Sequence, residues 1–170
     1  MKKVIIVLFF FTLIMLINNN KTIEEITLPS DSIRFRIIAN SNSLEDQTTK
    51  IKIKERIENE VFTKLPTTTN INEYRRYIKD SIPAIKEILN ESNIDYDINF
   101  GDNYFPIKEF KGVTYEEGNY ESLVITLGSG KGHNWWCVLF PPLCTIDAKA
   151  ENIKDVEYKS FIQEVLNKYL

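Results

Sequence analysis

The chain has 170 residues, 24 acidic and 21 basic side chains and a formal charge of −3 at pH 7. Neither sign gathers into a long block, and no basic patch suited to a phosphate backbone is visible, so nucleic acid is not an expected partner. Removing the first thirty residues leaves about 140, the size of one domain with a single core.

Met1, Lys2 and Lys3 form a cationic start, and Val4 to Ile17 follow as an apolar run broken only by Thr12. This is the pattern of an export signal. As a helix the run spans about 21 Å, short of the roughly 30 Å hydrocarbon core that a spanning helix must cross. No small-residue cleavage site follows, since Asn18, Asn19, Asn20 and Lys21 stand there. Residues 1–20 are therefore read as a signal sequence or an N-terminal membrane tether, with the lysines inside and everything after Asn18 outside. Residues 21–31 read as a polar linker, and 32–170 as one folded domain.

Ile33, Phe35, Ile37 and Ala39 alternate with Arg34, Arg36, Ile38 and Asn40, which predicts a strand with one buried face. Ser43 and Asp46 have the spacing of a reciprocal cap, opening a helix that runs to about Leu65 with Ile53, Ile57, Val61 and Leu65 buried and Lys50, Lys52, Lys54, Glu58 and Glu60 solvated. A second helix is expected over 72–90, kinked or broken at Pro83. Ile94, Tyr96, Ile98 and Phe100 mark a second half-buried strand. From Asn103 to Gly118 no dependable period remains, and Pro106, Gly112 and Gly118 suggest an extended surface loop. Strands over 120–127 and 135–140 flank a glycine-rich turn at 128–132, and a helix over 156–168 closes the chain. The order gives an α+β single domain: about four mainly antiparallel strands, packed by two central helices and a C-terminal helix.

Gly128 to Cys144 concentrates the chemistry, holding both tryptophans, both cysteines and the single histidine. It is not a phosphate loop, because Gly132 follows Lys131 where Ser or Thr is required and no helix can begin there. A metal site lacks ligands, with one His and two Cys. Cys137 and Cys144 can close a small disulfide loop, remain as buried thiols, or supply one reactive thiol. His133 is four residues from Cys137, which as a strand separates them by about 13 Å, so a Cys–His nucleophile needs a sharp bend. Trp135 and Trp136 point to opposite faces of a strand, one anchoring the core and the other offered to a partner. No catalytic, cofactor-binding or metal-binding residue is assigned.

The run Gly132-His133-Asn134-Trp135-Trp136-Cys137-Val138-Leu139-Phe140-Pro141-Pro142-Leu143-Cys144 resembles the signature of the stage II sporulation protein R family. Ile33 to Ser43 with Glu45-Asp46-Gln47, and Gly118 to Leu123, resemble two further blocks of that family. The resemblance implies an exported signalling protein of endospore formation, made in the forespore and delivered to the space between the septal membranes. Its implied partner is a membrane-embedded aspartic protease of the mother cell, which processes the precursor of sigma factor E. The expected contact surface is His133, Asn134, Trp135 and Trp136, with the 128–134 turn and the 103–118 segment. The competing reading is an exported hydrolase of cell wall or peptides using Cys137 with His133.

Overall fold

The computed structural model describes residues 26–27, 31–110, 113–144 and 155–169, with backbone alone for 26–27 and 155–161. The predicted export segment and most of the linker lie outside the described residues. The elements are β1 (Ile26–Thr27), β2 (Ile33–Ile38), α1 (Leu44–Glu60), a 3₁₀ turn (Phe62–Lys64), α2 (Ile71–Asn90), β3 (Tyr96–Phe105), β4 (Lys108–Phe110), β5 (Val113–Tyr115), β6 (Gly118–Leu127), β7 (Asn134–Phe140) and α3 (Asp155–Tyr169).

The fold is α+β. Its main sheet has the order β3-β6-β2-β7, and a small second sheet has the order β1-β5-β4. β3 and β6 pair antiparallel over ten residues, and β2 and β7 pair antiparallel with Phe35 opposite Cys137 and Arg36 opposite Trp136. The central pair differs from the antiparallel expectation, for β2 runs parallel to β6, with Arg34 opposite Ser122. Parallel pairing demands a long crossover, which here contains both central helices.

Alternation in β2 sends Ile33, Phe35 and Ile37 toward the helices, where Ile53 and Ile57 of α1 and Tyr74, Ile78, Ile85 and Leu89 of α2 complete the main core. Phe35 sits at its centre, edge-on to Phe62 at 5.0 Å and Trp135 at 5.8 Å. α2 is continuous through Pro83 rather than broken. The proline is exposed, so the carbonyl of Lys79 that loses its amide partner can turn to water while the buried face holds the helix on the sheet.

The 103–118 segment is not a surface loop. β3 continues to Phe105, and β4 and β5 form a hairpin that adds buried Val113 and Tyr115 to a second cluster with Val138, Leu143 and Ile162 of α3. The main sheet is thus covered on part of its other face as well. Of the two arginines assigned by alternation to solvent, Arg34 is 2 % exposed beside Phe110 and Tyr115 of that second layer, and Arg36 is half-buried with its guanidinium 4.6 Å from the Phe105 ring.

Candidate functional site

The first and last of the resembling blocks interlock. Asn40, just past β2, accepts the Ser129 amide on Oδ1 at 2.9 Å and donates from Nδ2 to Asp46 Oδ2 at 3.0 Å. Its carbonyl accepts from Ser129 Oγ at 2.9 Å and from the Lys131 amide at 3.1 Å. The Gly132 amide reaches the Ala39 carbonyl at 2.8 Å, and the His133 amide reaches Asn42 Oδ1 at 2.7 Å. Two glycines make this approach feasible. Gly128 has φ +52°, and a Cβ on Gly132 would stand 2.3 Å from the Ser41 carbonyl oxygen, closer than carbon and oxygen can approach.

Ser43 caps α1 by accepting the Asp46 amide at 3.1 Å. The expected carboxylate half of the cap takes a different route. Asp46 accepts from Ser41 Oγ at 2.5 Å and from Asn40, while the Ser43 amide turns to Ser41 Oγ at 3.1 Å. The Ser41 hydroxyl, with Asn40 and Ser43, holds the Asp46 carboxyl below the usual carboxylate range. Lys50 is buried rather than solvated, its ammonium donating to the His133 carbonyl at 2.8 Å and to Gln47 Oε1 at 2.7 Å; burial lowers its pKa.

β7 carries the chemistry-rich run outward from this junction. His133 and Asn134 are exposed at its start. Trp135 and Trp136 are both half-buried, on opposite faces. Trp135 packs on Phe35 with the Lys54 ammonium 5.0 Å from its ring, whereas Trp136 packs on Phe105 at 5.4 Å with the Lys108 ammonium 5.0 Å away. A groove of about 270 Å³ opens beside Trp136, lined also by Arg34, Phe105, Lys108, Asn134 and Val138. The Arg34 guanidinium stacks on the Tyr120 ring, 3.3 Å from its centroid, and lies 5.3 Å from that of Phe105. Desolvation lowers its pKa, against opposing effects from Tyr120 and Tyr115. Sequence alternation missed this arginine because it treated the face as open. The usable signal was the density of aromatic residues from Tyr104 to Tyr120.

After β7 the chain turns at Pro141 and Pro142, and the Leu143 amide returns to the Val138 carbonyl at 3.0 Å. That return joins Cys137 and Cys144 in a disulfide, with Cα atoms 5.3 Å apart, inside the main core. A bonded sulfur offers no thiolate, so the Cys137–His133 nucleophile has no chemical basis in this state. Among the described residues no group of three or more His, Cys, Asp or Glu is placed to hold a metal ion, and no helix is long and apolar enough to cross a membrane.

The blocks that interlock here are those of a known family. The family profile for stage II sporulation protein R matches residues 29–150. This chain belongs to the stage II sporulation protein R family. It is 38 % identical over 154 residues to stage II sporulation protein R of Bacillus subtilis (strain 168), an alignment covering 86 % of this chain and 69 % of the relative. No solved structure matches it significantly. Within the family's matched span lie the Asn40–Ser129 junction, the disulfide and the Trp136 groove.

Proposed function

We propose that this chain is an exported, non-enzymatic signalling protein of endospore formation. In this reading it passes from the forespore into the space between the septal membranes, secreted or tethered by residues 1–20. There it activates a membrane-embedded aspartic protease of the mother cell, which cleaves the sigma factor E precursor. Membership of the stage II sporulation protein R family over residues 29–150 is the observation that carries the proposal. The cationic and apolar start of the chain supports export, and Cys137, bonded to Cys144, does not favour the hydrolase reading.

Activation requires differential affinity: the chain must bind the active form of the protease more tightly than the inactive one. The contact is proposed at His133 and Asn134 and along the Trp136 side of β7, where exposed polar groups adjoin a half-buried aromatic ring. The test is co-expression of the exported chain with the protease and the sigma precursor. Precursor cleavage should depend on this chain and on its export. Cleavage proceeding equally in its absence would refute the proposal.

A further inference from the structure

The groove beside Trp136 holds buried donors that lack a well-placed acceptor among the described residues. Arg34 is 2 % exposed, and its Nε, Nη1 and Nη2 have no acceptor among the described residues. The Trp136 indole nitrogen, buried on the same groove wall, is also without one, as is Nε of neighbouring Arg36. Tyr120 stacks on the face of the Arg34 guanidinium and favours its charge, but among the described residues no acceptor meets hydrogen-bond geometry with its in-plane N–H groups. Buried donors of this kind are expensive unless something accepts from them.

All these groups are donors, and two are cationic. The electrostatic partners of Arg34 are Tyr120 and Tyr115, with no carboxylate among the described residues. Phe105, Phe110 and Val138 give the groove apolar walls, beside the polar side chains of Tyr115 and Asn134. A planar guanidinium fork beside an indole N–H matches the two oxygens of a carboxylate, while aromatic walls favour an apolar group next to it over a strongly hydrated phosphate. We propose that this groove is a carboxylate-binding site, taking an acidic side chain or a chain-terminal carboxylate together with an adjoining apolar group. The inference stands on the geometry of the groove and does not rest on the signalling role.

The test uses the full-length, isotope-labelled chain in dodecyl maltoside micelles, titrated with hydrocinnamate, its neutral amide and inorganic phosphate. The readouts are the Arg34 Nε–H and Trp136 indole N–H resonances, with the backbone amides of α2, which does not line the groove, as internal control. Hydrocinnamate should shift the first two and leave the α2 amides in place, binding about tenfold more tightly than the amide because a charge-assisted pair replaces a neutral one. Arg34→Lys should lose about tenfold in affinity. Trp136→Phe keeps the ring contact with Phe105 but removes the donor, and should weaken binding in a protein whose remaining spectrum is unchanged; it carries the test if Arg34→Lys fails to fold. Equal binding of acid and amide, response to phosphate alone, or no response to any probe would overturn the inference.

Discussion

Breaking the Cys137–Cys144 bond separates a structural cysteine pair from a catalytic one. The bridge closes a loop with a sequence separation of seven. In the chain-entropy treatment a loop of that length contributes about 2.5 kcal/mol by restricting the unfolded chain. Spread over the unfolding entropy of a domain of about 140 residues, this lowers the melting temperature by about 8 °C. Cys137→Ala and Cys144→Ala should therefore destabilise by similar amounts. The double variant should be no worse than about either one, because all three sever the same bond. Differential scanning calorimetry of the single and double variants, and of the wild-type chain under reducing agent, measures each quantity. Precursor cleavage at a temperature where all variants remain folded then tests the proposed role. A Cys137 variant that keeps its melting temperature and loses function, beside a Cys144 variant that keeps both, would refute the structural reasoning and restore the nucleophile.

The junction between β2 and the 128–133 turn yields two further expectations. Asn40→Ala removes an acceptor for the Ser129 amide and a donor to Asp46, and should cost about 1–3 kcal/mol in chemical denaturation. Gly132→Ala should be at least as damaging because its Cβ meets the rigid Ser41 carbonyl; an unchanged midpoint for either variant would contradict the junction. Asp46 has a folded pKa below its unfolded value, so the stability it contributes is present above about pH 4 and is lost as pH falls through the folded value. Asp46→Asn should flatten that acid limb in pH-dependent melting. Glu58 has the opposite sign: burial, only partly offset by Lys54, raises its pKa, so its contribution is present at low pH and lost as pH rises through the folded value. Glu58→Gln should therefore gain on the wild type between acidic and neutral pH, and a variant that falls behind there would contradict the assignment.

The residues that announced the fold are those whose neighbours in sequence are also neighbours in space. Ile33, Phe35 and Ile37 alternate cleanly, and Ile53 and Ile57 keep helical spacing, so the helix-facing core was legible. The opposite face was not, because Arg34 and Arg36 look like solvent residues unless the layer above them is known. That layer comes from the segment after Gly101, which interrupts the side-chain pattern of β3, and the short β4 and β5 carry no periodic signal of their own. At Pro83, where a kink or break is expected, the break does not occur, since the exposure that lets the freed carbonyl reach water is a tertiary property. Of the site, the opposed tryptophans were readable from strand alternation, whereas the spacing of the cysteines left a bridge, buried thiols and a reactive thiol all open until the turn at Pro141 and Pro142 was seen. The buried guanidinium and Lys50 were not, as both depend on contacts between segments distant in the chain.

The parallel pairing of β2 with β6 also governs the order in which the molecule can assemble. β2 is made early, yet the strands on both its sides, β6 and β7, arrive about ninety residues later or more. A polypeptide emerging from its amino end must keep a greasy, hydrogen-bond-hungry ribbon waiting until nearly all of itself has followed. The main sheet therefore closes only once β6 and β7 are made, and any truncation before Leu127 leaves β2 with neither flanking strand complete.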